Sequence, residues 1–203
     1  MTVRLLPCGR RAVLVELDDV LGFQAALEQS PPDGLVELVP AARTLLVRFD
    51  PAVTDAGRLG AALRTVSPVD SSVSSSAEVV VPVVYDGEDL ADVAAEAGMS
   101  VSALIARHSG GSYVSAFCGF APGFAYLSGL DAALHVSRRS TPRTRIPAGS
   151  VAIAGEYSAV YPSASPGGWR LLGRTDVPVW DVERNPPNLL PPGTKVRFEA
   201  VPA

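Results

Sequence analysis

The sequence predicts an α+β protein in two parts: a small ββαββα domain, then a β-barrel that carries two helices. Three observations lead there. The 203 residues include 18 glycines and 18 prolines, together well above the usual share of about 12%, so turns are frequent and a helical bundle is disfavoured. Short apolar runs bounded by those turn residues outnumber helical periods. Between Ser67 and Ala77, six of the eleven residues are serine, a composition that reads as a linker or mobile loop. The domains are therefore expected at 1–66 and 78–203, with 67–77 between them.

In the first part, Val3 to Leu6 and Ala12 to Leu17 are apolar runs parted by Pro7 and Gly9, which predicts two strands and a turn. Asp19 can cap a helix whose apolar positions Val20, Phe23 and Leu27 recur at helical spacing, ending at Ser30-Pro31-Pro32. Leu35 to Val39 and Thr44 to Phe49 form the next strand pair, broken at Pro40. Thr54 or Asp55 then caps a helix with Leu59, Ala62, Leu63 and Val66 on one face. This order suits a sheet with helices on one side. No reactive side chains gather here, so the expected job is assembly or support.

The second part opens with an apolar strand, Val79 to Tyr85, in which Pro82 marks an edge or a bulge. One helix follows with Leu90, Val93, Ala94 and Ala97 aligned and Gly98 at its end. Ser100 caps another, with Val101, Leu104 and Ile105 on a face. Beyond Gly111 lie β-like runs at 112–118, 146–154, 157–161, 168–173, 177–181 and 194–200, punctuated by Gly and Pro. Short strands with frequent turns favour a closed barrel or sandwich.

Charge and motif content remove several functions. The net charge is −4 and the pI near 5.2, which argues against nucleic acid as a partner. No stretch approaches the roughly 20 apolar residues of a membrane helix. Arg4, Arg10 and Arg11 interrupt any signal-peptide core, so a cytoplasmic protein is expected. Cys8 and Cys118 are too far apart for a disulfide framework and read as reduced thiols. Neither G-x-x-x-x-G-K-[ST] nor G-x-G-x-x-G is present, so no P-loop binds ATP in this chain. The His and Cys residues lack metal-ligand spacing, and no metal is expected. A Ser-Ser-Lys amidase is set aside because Lys195, the only lysine, falls in the last strand.

Four features remain as candidates. His108 continues the helical face of Leu104 and Ile105, so it is either a hydrogen-bonded core histidine or a proton-transfer group. A Cys118–His108 pair is conceivable, though an apolar-flanked cysteine is usually inert. The segment 119–127 sets Phe120, Phe124 and Tyr126 among Gly119, Pro122 and Gly123, an apolar loop that is either a plug or a ligand platform. Arg138, Arg139, Arg143 and Arg145 follow, with no acid between Asp131 and Glu156; such a cluster is a solvated face or a binder of carboxylate or phosphate. Ser165-Pro166-Gly167-Gly168-Trp169 either lets backbone N–H groups approach an anion or is a tight hairpin under a core tryptophan.

These motifs stand in the order of a known family. Gly119-Phe120-Ala121-Pro122-Gly123-Phe124 is followed by Ser140-Thr141-Pro142-Arg143. Then come Ile146 to Gly155, Tyr161-Pro162, Ser165 to Trp169 and Gly173-Arg174-Thr175. The chain resembles the family of 5-oxoprolinase B subunits, also called allophanate hydrolase subunit 1 or sporulation-kinase inhibitor, of the carboxyltransferase C–D subdomain type. The resemblance implies a cyclophilin-like barrel and one role in a multi-subunit, ATP-dependent opening of 5-oxoproline to glutamate. It implies a partner of the carboxyltransferase A–B type (the 5-oxoprolinase C subunit), a further A subunit, ATP used by the complex, and inactivity of this chain alone. The site residues it implies are His108 as catalytic, and Phe120, Pro122, Gly123, Phe124, Arg143, Ser150, Tyr161, Gly167, Gly168, Trp169 and Arg174 as substrate-binding. Arg143 and Arg174 are expected to grip a substrate carboxylate. Glu156-Tyr157-Ser158 stands where relatives commonly carry Gln-Thr, which leaves allophanate or urea-related chemistry as an alternative. Inhibition of a sensor histidine kinase through the aromatic loop is another. Prolyl isomerisation has only fold analogy behind it.

Overall fold

Strand alternation and helix caps account for the first unit. In strands β1 (Arg4–Pro7), β2 (Ala12–Glu16), β3 (Leu35–Pro40) and β4 (Thr44–Phe49), alternate side chains share a face. Val13, Val15, Leu45, Val47 and Phe49 are buried there, beneath Phe23 and Leu27 of helix α1 (Val20–Gln29) and Leu59 and Leu63 of α2 (Ala56–Thr65). The sheet order is β1-β2-β4-β3, antiparallel throughout. Asp19 caps α1 by accepting from the Gly22 N–H, and Asp55 caps α2 by accepting from Gly57 and Arg58. This is the expected ββαββα order. The computed structural model describes residues 3–69 and 78–202 and divides into two compact units, Met1–Ser75 and Ser76–Ala203. Residues 70–77 of the expected linker lie outside the described residues.

The second unit is a nearly closed sheet. Its strands are β5 (Val79–Val83), β6 (Tyr113–Cys118), β7 (Ala125–Ser128), β9 (Ser150–Ala154), β10 (Tyr157–Val160), β12 (Arg170–Arg174) and β13 (Lys195–Ala200). They run in the order β12-β9-β10-β7-β6-β13-β5, with β5 parallel to β13 and the other pairs antiparallel. Pro82 sits on edge strand β5, where a missing N–H costs no ladder bond. The two edges then meet: Val84 and Arg174 exchange backbone hydrogen bonds of 2.9 Å in both directions, and Gly87 and Asp89 donate to Leu172 and Leu171. Gly173 makes this seam possible, because a Cβ there would collide with the Val84 carbonyl. Helices α3 (Leu90–Glu96) and α4 (Val101–Ser109) contribute Val93 and Leu104 to the barrel core alongside Val151, Ile153, Leu172 and Phe198.

Three sequence expectations change here. The run 146–154 is two strands, β8 (Arg143–Ile146) and β9, divided at Gly149, whose φ is +78°. Residues 125–127 belong to β7 rather than to a loop. The run 177–181 is no strand; Trp180 makes only an isolated bridge to Asn188. In addition, β11 (Ser165–Gly167) pairs with β8 as a separate two-stranded sheet. It lies over a second apolar cluster in which Ala152 and Ala154, on the face of β9 opposite Val151 and Ile153, meet Phe124, Ile146, Tyr161 and Trp169. Among the described residues no helix is long and apolar enough to cross a membrane.

Candidate functional site

Phe124 is the hub of that second cluster. Its ring makes edge contacts with Phe120, Tyr126, Tyr161 and Trp169 at centroid separations of 5.2–5.4 Å, the geometry that ring quadrupoles favour. The loop leading to it is tightly folded, with Gly119 and Phe124 bonded across its base at 3.1 Å. Gly123 has φ +78° and no room for a side chain, since a Cβ would lie 2.6 Å from that of Trp180. Phe120 is the unusual member. It holds φ +66°, the only non-glycine with positive φ among the described residues, yet its side chain is 63% exposed. A bulky residue in that region costs on the order of 1–3 kcal/mol, and an exposed ring recovers little of it by burial. Strain of this kind collects at binding sites.

The opposite wall comes from β11 and the turn after it. Gly167 lies directly under the Tyr161 hydroxyl, so any side chain there would displace it. Burial pushes the Tyr161 phenol above its usual range, opposed by the Trp169 backbone N–H and the Arg138 charge. Tyr161 is therefore a protonated donor at neutral pH. Together Phe120, Phe124, Tyr126, Tyr161, Trp169, Gly167, Gly168 and Arg138 enclose a pocket of about 70 Å³. Six of these are residues for which the family resemblance implies substrate binding. Tyr126 and Arg138 are the additions, and both stand in segments whose aromatics or arginines mark them in the sequence.

The remaining expected residues lie elsewhere. The Arg143 guanidinium is taken up within the chain: it forks onto Asp89 at 2.8 and 3.0 Å and reaches Glu88 at 3.0 Å. Asp89 is almost wholly buried and also accepts from Arg139 (2.7 Å) and the Leu171 N–H (2.7 Å). Burial alone would raise its carboxyl, but these donors together hold it below the usual carboxylate range. Arg174 pairs with Asp86 at 2.9 Å and lines a different groove, of about 400 Å³, with Val84, Thr175, Pro178 and Val201. The expectation that Arg143 presents a free fork to a substrate is thus corrected, because Asp89 and Glu88 already occupy it; Arg174 gives its Nε to Asp86 and lies outside the aromatic pocket. Ser150 is buried in β9, opposite Arg174. Pro122 is exposed next to the Gly123 turn, outside the pocket lining.

His108 is apart from all of these. It has no exposed surface and stacks on Phe198 at 4.6 Å. Tyr85 Oη lies 2.7 Å from Nδ1 and Ser158 Oγ lies 2.9 Å from Nε2. Ser158 in turn donates to the Ala152 carbonyl at 3.4 Å. One proton arrangement satisfies every atom: Tyr85 donates to Nδ1, Nε2–H donates to Ser158, and the ring stays neutral. Burial agrees, pushing the imidazole down to about 3. Of the two readings the sequence left open, this geometry is that of the core histidine. No Cys–His pair forms either, since Cys118 Sγ contacts Leu190 O and Asn188. Among the described residues no group of three or more His, Cys, Asp and Glu is placed to hold a metal ion.

Residues 3–190 match the family model of the carboxyltransferase domain, subdomain C and D. A 5-oxoprolinase B subunit from Bacillus subtilis (strain 168) is 36% identical over 98% of this chain and 93% of its own length. One from Escherichia coli O157:H7 is 49% identical over 123 residues, which are 59% of this chain and 56% of that one. The crystal structure of TTHA0988 agrees with a TM-score of 0.81 at 37% identity, covering 95% of this chain but 41% of the other. The urea amidolyase of K. lactis shares the fold alone, at 20% identity and a TM-score of 0.70, over 98% of this chain and 15% of that one.

Proposed function

The chain belongs to the carboxyltransferase subdomain C and D family, and from that premise we propose that it is the B subunit of an ATP-dependent 5-oxoprolinase. It would work in the cytoplasm with a separate A subunit, and with a C subunit of the carboxyltransferase A–B type. ATP would be consumed by the complex while water adds across the lactam C–N bond to give glutamate. One observation carries this reading: likeness to a protein named as the B subunit of 5-oxoprolinase over 98% of the chain. The allophanate and urea alternatives, raised by Glu156-Tyr157-Ser158, gain from comparison only a neighbour alike in fold.

The aromatic pocket is the substrate site in this reading. Its rings exclude water from one face of a small ring, and Tyr161 offers a hydrogen bond to a carbonyl or carboxylate oxygen. At about 70 Å³ it is far smaller than the roughly 300–1,000 Å³ of sites for drug-sized ligands. It suits a small ligand whose other side is covered by a partner protein, which explains why the chain alone should be inactive. Purified with its partner subunits, the protein is expected to release glutamate from 5-oxoproline only when ATP is supplied, and omission of this chain should abolish the reaction. A complete, folded mixture that leaves 5-oxoproline untouched would rule the reading out.

A further inference from the structure

The arginines of segment 138–145 have different tasks. Arg139 and Arg143 are both bound to the buried Asp89. Arg138, next to Arg139 in sequence, lies over the Trp169 ring with its guanidinium carbon 5.9 Å from the centroid. Its backbone is pinned from two sides. The Arg139 N–H donates to the Gly168 carbonyl at 2.7 Å, and the Arg138 Cβ packs close beside Gly168. Arg138 therefore stands at the pocket wall by construction. Among the described residues it makes no ion pair with a carboxylate, whereas Arg139, Arg143, Arg170 and Arg174 all do.

A guanidinium stacked on an aromatic face, with its N–H edge free, is suited to a planar bidentate acceptor. The surrounding wall is aromatic and the volume small, so the acceptor must be carried by a compact, largely apolar body. We infer that Arg138 binds the carboxylate of a small ring-bearing acid seated in the aromatic pocket, and so sets the specificity of the site for acids over their neutral analogues. This rests on the pocket being the substrate site of the proposed 5-oxoprolinase. Asp89 has a supporting part: by absorbing Arg139 and Arg143 it fixes the segment while leaving Arg138 for the ligand.

The test compares 5-oxoproline with 2-pyrrolidinone, the same lactam ring without the carboxylate. Binding to the full chain is read from the fluorescence of its two tryptophans, and kinetics from the reconstituted complex. Arg138→Gln should weaken 5-oxoproline binding by about ten- to a hundredfold, the value of a charge-assisted pair, and leave 2-pyrrolidinone unaffected. In the complex, KM should rise with little change in kcat, and Arg138→Lys should recover part of the loss. The melting temperature should match wild type, since Arg138 is exposed and unpaired by any acid among the described residues. Equal 5-oxoproline affinity in wild type and Arg138→Gln overturns the inference, and so does a wild-type chain that binds neither probe or both equally. If the Arg138→Gln complex turns over 5-oxoproline with wild-type KM, the inference falls and the proposed function stands. If the wild-type complex has no turnover, the function falls, and the binding comparison still decides Arg138.

Discussion

Asp89 is buried yet ionised, and the donors around it explain how. Two guanidinium groups and one backbone N–H reach its two oxygens within 3.0 Å, which replaces the water lost on burial. Removing such a charge leaves Arg139 without its counter-ion and Arg143 with the exposed Glu88 alone. Asp89→Asn should therefore cost about 3–5 kcal/mol of stability. Arg143→Lys keeps the charge and loses the fork, so it should also lower the melting temperature, whereas Arg138→Lys should not. Denaturation curves of the three variants check this; an Arg143→Lys protein as stable as wild type would mean that Asp89 is held by Arg139 and Leu171 alone. Sequence spacing exposes the arginine cluster but cannot divide its members. The partners of Arg139 and Arg143, Glu88 and Asp89, come from a loop some fifty residues earlier in the chain, and nothing local announces that loop.

Elements are legible where the local signal is self-contained. Asp19, Asp55 and Ser100 each accept a backbone N–H at the start of the helix they are expected to cap. Strands β8 and β11 are illegible because each exists only through the other: Ser165-Pro166-Gly167 has no strand propensity of its own and pairs with Arg143–Ile146 across some twenty residues. β7 is hidden in an aromatic run that also carries the site. The barrel seam is likewise non-local. Gly173 and Gly87 lie where a Cβ would meet the backbone of the opposite edge, Val84 in one case and Leu172 in the other. Neither has a positive φ, so the requirement is space and not conformation. Gly173→Ala should thus cost about 1–3 kcal/mol, the usual penalty for overpacking, and should speed hydrogen exchange at the Val84 amide. Unchanged exchange there would show that the seam yields without opening.

At the scale of the molecule, each unit has its own core and a different response to acid. Both histidines, His108 and His135, belong to the second unit. His108 is held far below its usual value, at about 3 against 6.5. Between those values the unfolded second unit takes up a proton that the folded one refuses, so its stability is complete above about pH 6.5 and declines as the pH falls. The slope for one proton is about 1.4 kcal/mol per pH unit. Asp89, whose carboxyl is lowered, adds a further loss only below about pH 4. The first unit contains no histidine and should be flat between pH 7 and 5. Hydrogen exchange, corrected for intrinsic rates and resolved by peptide, should then show protection falling in 78–203 and holding in 3–69. His108→Gln should be less stable at pH 7 but should remove most of that slope. If both units lose protection together, or if the slope survives in His108→Gln, then buried His108 is not the source of the acid sensitivity.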